Sequence, residues 1–159
     1  MLVVKTLIFT VLVPGTVTVL MPLFLTASAL ERSFHAPTAL RLLGVLAITA
    51  GVAVYIWCAS DFILAGRGTP NPLDPPKRLV SRGLYQWMRN PMYVGIGLIL
   101  AGEALCFGSL TLLVYAGVVL SLFHLRVLLY EEPRLRKQFG ASYDEYCKAV
   151  PRWFPRWRY

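Results

Sequence analysis

The chain alternates long apolar runs with short polar stretches. The first run covers residues 7–30 without a charged residue, and the second covers residues 42–65 with one charge, Asp61. At 1.5 Å per helical residue, each run can cross a hydrocarbon core about 30 Å thick. The pattern therefore predicts two membrane-spanning helices, over about residues 6–30 and 42–65.

Two more apolar runs lie close together in the second half. A shorter one covers residues 91–107 and contains Glu103, and the next covers residues 110–130. Gly108 and Ser109 separate them, which favours a tight turn because glycine tolerates unusual backbone angles. We expect a helical hairpin here and, in total, an all-α membrane protein with about four transmembrane helices in a single domain.

The segment between the second and third runs cannot continue a helix or a strand. Residues 66–76 contain four prolines and two glycines, and both residue types interrupt regular hydrogen-bonded structure. We expect a stiff, extended connector on the membrane surface. After residue 130 the sequence becomes polar, and we expect a short helical tail there.

Lysine and arginine predict the orientation. With four spans, the N-terminus, the connector and the tail share one side of the membrane, and the other side has only Arg32 and Arg41. The shared side carries Lys5, Arg67, Lys77, Arg78, Arg82, Arg89, Arg134, Arg136, Lys137, Lys148, Arg152, Arg156 and Arg158. We therefore expect both termini and the proline-rich connector in the cytoplasm.

Composition agrees with a membrane protein and narrows its partners. Hydrophobic residues make up 57% of the chain and charged residues 15%, and the mean hydropathy is +0.59. The net charge of +8 belongs to the segments that flank apolar runs, so anionic lipid or an anionic small molecule is a better partner than nucleic acid. Three cysteines without metal-ligand spacing predict neither a disulfide framework nor a metal site.

Residues 82–95 carry the first half of a candidate site. Gly83 and Gly95 lack side chains where a backbone could approach a ligand. Pro91 suits the first turn of a helix, whose free N–H groups attract anions. The start of the third apolar helix is therefore a candidate binding site for an anionic group.

Side chains in the same segment add specific chemistry. Arg89 could clamp a carboxylate, Asn90 can donate and accept hydrogen bonds, and Tyr85 and Tyr93 offer faces to an adenine ring or a cation. For each residue taken singly, anchoring to lipid headgroups is the more ordinary role.

Glu131 and Glu132 carry the second half of the candidate site. Adjacent carboxylates at the C-terminal end of a spanning helix oppose the helix dipole, so another interaction has to stabilise them. One alternative is a salt bridge with Arg126, Arg134 or Arg136. The other is that they face the connector and attract an amino or sulfonium group. The roles of Asp61, Glu103 and His124 stay open.

Short motifs follow one another in a fixed order over about residues 60–155. They are Gly66-Arg67-Gly68-Thr69-Pro70, Asp74-Pro75-Pro76-Lys77-Arg78-Leu79-Val80, Arg82-Gly83-Leu84-Tyr85, Arg89-Asn90-Pro91-Met92-Tyr93, Gly95, Glu131-Glu132, Leu135, Phe139-Gly140, Tyr143, Tyr146, Val150-Pro151 and Phe154-Pro155. In this order they resemble the isoprenylcysteine carboxyl methyltransferase family, and within it the small bacterial integral-membrane members, with the phospholipid methyltransferases as relatives.

The resemblance implies an S-adenosylmethionine-dependent enzyme of the bacterial inner membrane that methylates a lipophilic acceptor. It implies a cofactor site built from Gly83, Tyr85, Arg89, Asn90, Pro91, Tyr93, Gly95, Glu131 and Glu132, with Arg89 and the two glutamates closest to the chemistry. The departure is Asn90, where better-known members have histidine. Asparagine can hydrogen-bond to a cofactor but carries no titratable proton, so a general base at this position is in doubt.

Two other functions fit parts of the same pattern. Membrane sterol or polyene reductases that use NADPH share a similar Arg-x-Pro-x-Tyr turn, although the consecutive glutamates fit methyltransferases better. A non-catalytic membrane subunit could use Arg89, Glu131 and the aromatic residues only to lock the connector to the tail.

Overall fold

The computed structural model describes residues 1–28, 32–66 and 78–155, and the regular elements in these ranges are helices. They are α1 (Leu2–Leu12), α2 (Met21–Thr26), α3 (Thr38–Asp61), α4 (Pro91–Phe107), α5 (Leu110–Arg126), α6 (Glu132–Phe139) and α7 (Ala141–Ala149). Short π-helical turns cover Thr16–Leu20, Phe62–Gly66 and Val127–Glu131, and a 3-10 turn covers Gly83–Gln86. Most of the predicted proline-rich connector lies outside the described residues.

Three helical stretches of the described chain are long and apolar enough to cross a membrane. They are Leu2–Thr26, Thr38–Gly66 and Leu110–Phe139. Helix α4 is apolar but shorter, with 17 residues. The all-helical membrane fold is thus confirmed, whereas a total of four spans stays a prediction. The first helical stretch ends at Thr26, short of the predicted residue 30.

Helices α3 and α4 lie antiparallel at very short distance because glycines face each other. A Cβ atom on Gly44 would lie 2.6 Å from the Gly102 carbonyl oxygen, and one on Gly51 would lie 2.5 Å from the Gly95 carbonyl oxygen. On each helix the two glycines are seven residues apart, about two turns, so the contact repeats along one face. Small residues at such a contact let helix backbones approach closely, and here they fix the register of α3 against α4.

The predicted hairpin joins α4 to α5. Gly108 ends α4 in the left-handed conformation with φ +60, and the Ser109 hydroxyl caps α5 by accepting a hydrogen bond from the Leu112 N–H at 3.1 Å. The segment before α3 closes over this turn, since the Phe34 N–H donates to the Gly108 carbonyl and the Leu110 N–H donates to the Arg32 carbonyl.

An apolar cluster lies at the C-terminal end of α3 and fixes the segment before α4. Cys58, Val80 and Tyr85 are buried together, with Phe62 packed against them. The Tyr85 ring meets the Phe62 ring edge-on at 5.7 Å between centroids. Because Tyr85 belongs to the 3-10 turn, its burial anchors the approach to α4 on the last turns of α3.

We expect the close contact between α3 and α4 to be sensitive to a single methyl group. Gly51→Ala should lower the free energy of unfolding by about 1–3 kcal/mol, because its Cβ atom must displace the α4 backbone. Thermal unfolding followed by circular dichroism in detergent measures the loss.

Gly117→Ala is the matched control, since no heavy atom lies within 4 Å of the added Cβ. Alanine favours a helix over glycine by up to about 1 kcal/mol, so this variant should unfold at the wild-type temperature or above it. Equal destabilisation of both variants would contradict the proposed packing.

Candidate active site

The segment from Gly83 to Pro91 brings the first half of the candidate site to the start of α4. Gly83 opens the 3-10 turn with φ +58, a left-handed conformation that L side chains rarely adopt. Pro91 is the first residue of α4, and Asn90 precedes it. Arg89 and Asn90 therefore lie at the N-terminal end of α4, as the sequence predicts.

Glu132 lies buried between two guanidinium groups. Its Oε1 atom is 3.1 Å from Arg89 Nη1, and Arg152 chelates the carboxylate through Nε at 2.6 Å and Nη2 at 3.1 Å. The side chains of Arg89 and Glu132 are only 12% and 11% exposed. Charge-assisted, bidentate bonds of this kind are among the strongest hydrogen bonds in proteins.

The cluster has more positive than negative charge and one unused donor. Two guanidinium groups face the single carboxylate of Glu132, and the hydrogen bond to Glu132 raises the pKa of Arg152 above its ordinary value. The Nε atom of Arg89 is buried and has no hydrogen-bond partner in the described structure. A buried donor without an acceptor is costly, so this place is suited to an anionic ligand such as a carboxylate.

Glu131 belongs to a different cluster, although it adjoins Glu132 in sequence. Successive helical residues point about 100° apart, and Glu131 Oε1 accepts hydrogen bonds from the Tyr93 hydroxyl and from Arg126 Nε at 2.9 Å. The Tyr93 ring packs against Phe123 at 4.5 Å between centroids. Glu131 is 26% exposed, so it remains accessible to small molecules.

The C-terminal segment closes over the loop before α4. The Arg89 N–H donates to the Pro151 carbonyl at 2.9 Å, and Asn90 Nδ2 donates to the Arg152 carbonyl at 3.1 Å. Further along, Trp153 Nε1 donates to His124 Nδ1 at 3.0 Å. Residues 151–153 are therefore tied to both the loop and helix α5.

Helix α7 supports this closure with one face. Tyr143 and Val150 are buried, the Tyr146 hydroxyl donates to the Tyr85 carbonyl at 2.6 Å, and Arg89 Nη1 donates to Cys147 Sγ at 2.8 Å. Burial raises the pKa of Tyr143 and of Tyr146, so both hydroxyls stay protonated near neutral pH. Arg89 is thereby fixed from two sides.

Several residues that the sequence assigns to one cofactor site lie in separate parts of the structure. The side of Gly95 that a Cβ atom would occupy faces α3, 3.0 Å from the Gly51 carbonyl oxygen, and the Tyr85 ring lies in the apolar cluster. The two glutamates face different partners. The salt-bridge alternative applies to Glu131 through Arg126, whereas Glu132 pairs with Arg89 and Arg152. The roles of all these residues toward a cofactor stay predictions.

Sequence reasoning missed Arg152 and the pairing of Trp153 with His124. Arg152 follows Val150-Pro151 directly, and these two residues belong to the motif set. The motifs therefore indicate the region of Arg152 but not its pairing with Glu132. Nothing in the sequence connects residue 152 with residue 132, because the two meet only after α6 and α7 fold back. Among the described residues, no three His, Cys, Asp or Glu side chains come together to hold a metal.

An apolar cleft opens beside the first helix. Its volume is about 700 Å³, and its walls come from α1, the π-helical turn Thr16–Leu20, α3 and α4. The hydroxyls of Thr10 and Tyr55 hydrogen-bond across it at 2.8 Å. A second cavity of about 120 Å³ is lined in part by Glu103, and Thr18 and Val19 line both this cavity and the cleft.

Comparisons with known proteins point to one family. The sequence profile described as phospholipid methyltransferase matches residues 39–142. The nickel-cobalt-cadmium resistance protein NccN of Alcaligenes xylosoxydans xylosoxydans is 28% identical over 74% of this chain and 51% of its own length. Protein-S-isoprenylcysteine O-methyltransferase of Schizosaccharomyces pombe is 34% identical over 48% of this chain and 33% of its own. The corresponding enzyme B of Arabidopsis thaliana is 35% identical over 49% and 40%.

These matches confirm the resemblance that the motifs indicate. The chain spans about half, or less, of the length of these curated relatives. No solved structure matches it.

Glu132→Gln tests the ion-pair cluster directly. The change leaves the buried guanidinium of Arg89 and the partly exposed guanidinium of Arg152 without their shared countercharge, so we expect the free energy of unfolding to fall by about 3 kcal/mol. Thermal unfolding in detergent measures the effect. Asp144→Asn is the control, because Asp144 pairs with Arg136 at 2.8 Å on the exposed surface, where solvent screening leaves such pairs little effect on stability. Similar losses in both variants would argue against a special role for Glu132.

Proposed function

This chain belongs to the phospholipid methyltransferase family, and we propose that it transfers a methyl group from S-adenosylmethionine to a lipophilic acceptor at the cytoplasmic face of the membrane. The observation that carries the proposal is the cluster of Arg89, Arg152 and Glu132. Arg89 and Glu132 are buried and Arg152 is partly exposed, the cluster has excess positive charge, and the Arg89 Nε atom has no hydrogen-bond partner in the described structure. These properties suit the carboxylate of an amino-acid moiety.

The remaining groups suit the other parts of S-adenosylmethionine. Arg89 and Arg152 would hold its carboxylate, and Glu131 offers a negative charge to an amino or sulfonium group. The ring of Tyr93 is available near Glu131 for an aromatic or cationic group. When bound, S-adenosylmethionine supplies an electrophilic methyl group. For Gly95, which faces the backbone of α3, and for the Tyr85 ring, which is buried beside Cys58, we propose packing roles.

The contribution of the protein to such a transfer is positioning. Arg89 is held through its backbone by Pro151 and through its side chain by Glu132 and Cys147. A preorganised guanidinium can orient a bound carboxylate without losing further side-chain entropy. No residue has to act as a nucleophile, because the methyl group can pass directly to an acceptor held in line with it.

The acceptor determines whether a base is needed. A carboxylate or thiolate acceptor is already deprotonated, whereas an amine or a hydroxyl releases a proton during or after the transfer. Glu131 is the candidate to take that proton, because it is accessible and already accepts hydrogen bonds from Tyr93 and Arg126. Asn90 cannot take it.

The apolar cleft supports a lipophilic acceptor. A volume of about 700 Å³ lies within the range of small-molecule sites, and the walls are mostly apolar, with a few hydroxyl groups such as those of Thr10 and Tyr55. The cleft lies between helices that face lipid, so a long hydrocarbon chain could enter sideways from the bilayer. The resemblance to small bacterial members supports a location in the bacterial inner membrane, and the distribution of lysine and arginine supports both termini in the cytoplasm.

Binding of S-adenosylmethionine to the full chain in detergent tests the function. We expect binding that is competed by S-adenosylhomocysteine and not by NADPH, measured by equilibrium dialysis with a radiolabelled methyl donor. Arg89→Ala should weaken binding at least about tenfold, since charge-assisted hydrogen bonds contribute roughly 1.5–3 kcal/mol. Lys148→Ala, which removes an exposed cation from α7, should leave binding unchanged. Competition by NADPH would favour a reductase. If S-adenosylmethionine does not bind, a non-catalytic subunit would be favoured.

Asn90→His tests whether position 90 needs only a hydrogen-bond donor. Asn90 Nδ2 donates to the Arg152 carbonyl, and an imidazole N–H can make a similar bond. We expect the affinity of the variant for S-adenosylmethionine to stay within about threefold of the wild type, since a hydrogen bond that the histidine retains limits the loss to under about 1 kcal/mol. Complete loss of binding, in a protein that still folds, would mean that the size or neutrality of Asn90 matters.

A further inference from the structure

We propose that Asp61, at the end of α3, is a positioning residue that holds the turn of Arg82 and Gly83 and thereby places Arg89 beside Glu132. The inference rests on the proposed function, because that function gives Arg89 its task. Asp61 lies outside the residues that the motifs assign to the cofactor site, and the sequence alone leaves its role open.

The first observation is the burial of the Asp61 carboxylate. The side chain is 7% exposed, and its Oδ1 atom accepts a hydrogen bond from Arg82 Nε at 2.8 Å. The Oδ2 atom is buried and has no hydrogen-bond partner in the described structure. Keeping a partly satisfied carboxylate out of water is costly, so its one strong interaction, with the segment before α4, needs a structural reason.

The second observation is the fit between Asp61 and Gly83. A Cβ atom on Gly83 would lie 2.5 Å from Asp61 Oδ2 and 2.9 Å from Trp57 Nε1. Gly83 also has φ +58. The carboxylate therefore packs directly on the backbone of Gly83, where only glycine provides both the space and the conformation. Asp61 thus contacts two successive residues, Arg82 and Gly83.

The third observation is the short, hydrogen-bonded path from this contact to Arg89. The Tyr85 N–H donates to the Arg82 carbonyl, and the N–H groups of Trp87 and Met88 donate to the Leu84 carbonyl. The Arg89 N–H then donates to Pro151. The segment is fixed at its start by Asp61 and at its end by the C-terminal segment, so a displacement at Gly83 is transmitted to Arg89.

The position of Asp61 itself is fixed by the packing of α3 against α4. The glycine pairs set the register of the two helices, and Cys58, one turn before Asp61, is buried beside Tyr85. The end of α3 and the start of α4 are therefore rigid with respect to each other. Asp61 and Pro91 act as two fixed points, and the segment with Arg89 lies between them.

Asp61→Asn in the full chain tests the proposal, because it keeps an oxygen acceptor but removes the charge that binds Arg82. Hydrogen exchange of peptides that cover residues 82–90, without ligand, should become several-fold faster while the helices exchange as in the wild type. The affinity for S-adenosylhomocysteine, measured by calorimetry, should fall about tenfold, since a displaced Arg89 loses much of its charge-assisted hydrogen bond to the ligand carboxylate. Arg82→Gln should give the same pattern and serves if Asp61→Asn does not fold.

Asp144→Asn is the matched control, since it removes a carboxylate that also pairs with an arginine Nε at 2.8 Å, but with both side chains about half exposed. It should change neither measurement. Wild-type exchange of residues 82–90 in Asp61→Asn, faster exchange spread over all helices, or local loosening with unchanged affinity would each overturn the proposal. A wild-type protein that does not bind S-adenosylhomocysteine would overturn the proposed function, while exchange at Arg89 would still decide whether Asp61 fixes its position.

Discussion

Two guanidinium groups share the buried carboxylate of Glu132, and this contact joins parts of the chain that are far apart in sequence. Arg89 comes from the segment before α4, Glu132 from the start of α6, and Arg152 from the C-terminal segment. Without this carboxylate, the buried cation of Arg89 and the partly buried cation of Arg152 would lie side by side without a countercharge. The ion pair therefore holds the polar end of the bundle together and leaves the excess positive charge on which the proposed binding of an anionic group depends.

The fold and the site have different origins within the sequence. Apolar runs and the turn at Gly108 predict the helices, because crossing lipid requires long segments with internal hydrogen bonds. The motif set predicts the family and the region of the site. Neither predicts that Glu131 and Glu132 serve separate clusters, since adjacent residues share a motif but not a direction. Neither predicts Arg152 as a partner, because that contact depends on how α6 and α7 pack.

Gly95 is another residue whose contacts the motif set does not predict. A single glycine near a predicted ligand site fits close approach to a ligand or to a helix equally well when it is considered alone. The structure places it against the backbone of α3. The signal that could have found this role is the repeat of Gly44 and Gly51 against Gly95 and Gly102, with equal spacing on two neighbouring apolar segments.

The equal spacing of those glycines also restricts how the two helices can move. Sliding by one or a few residues would drive a side chain into the facing backbone, and the next fit comes only after seven residues, a translation of about 10 Å. Gradual slippage is therefore blocked, and thermal fluctuations are confined to bending about a fixed contact. A polar pocket at the end of such a pair keeps its geometry even though the surrounding bilayer is fluid.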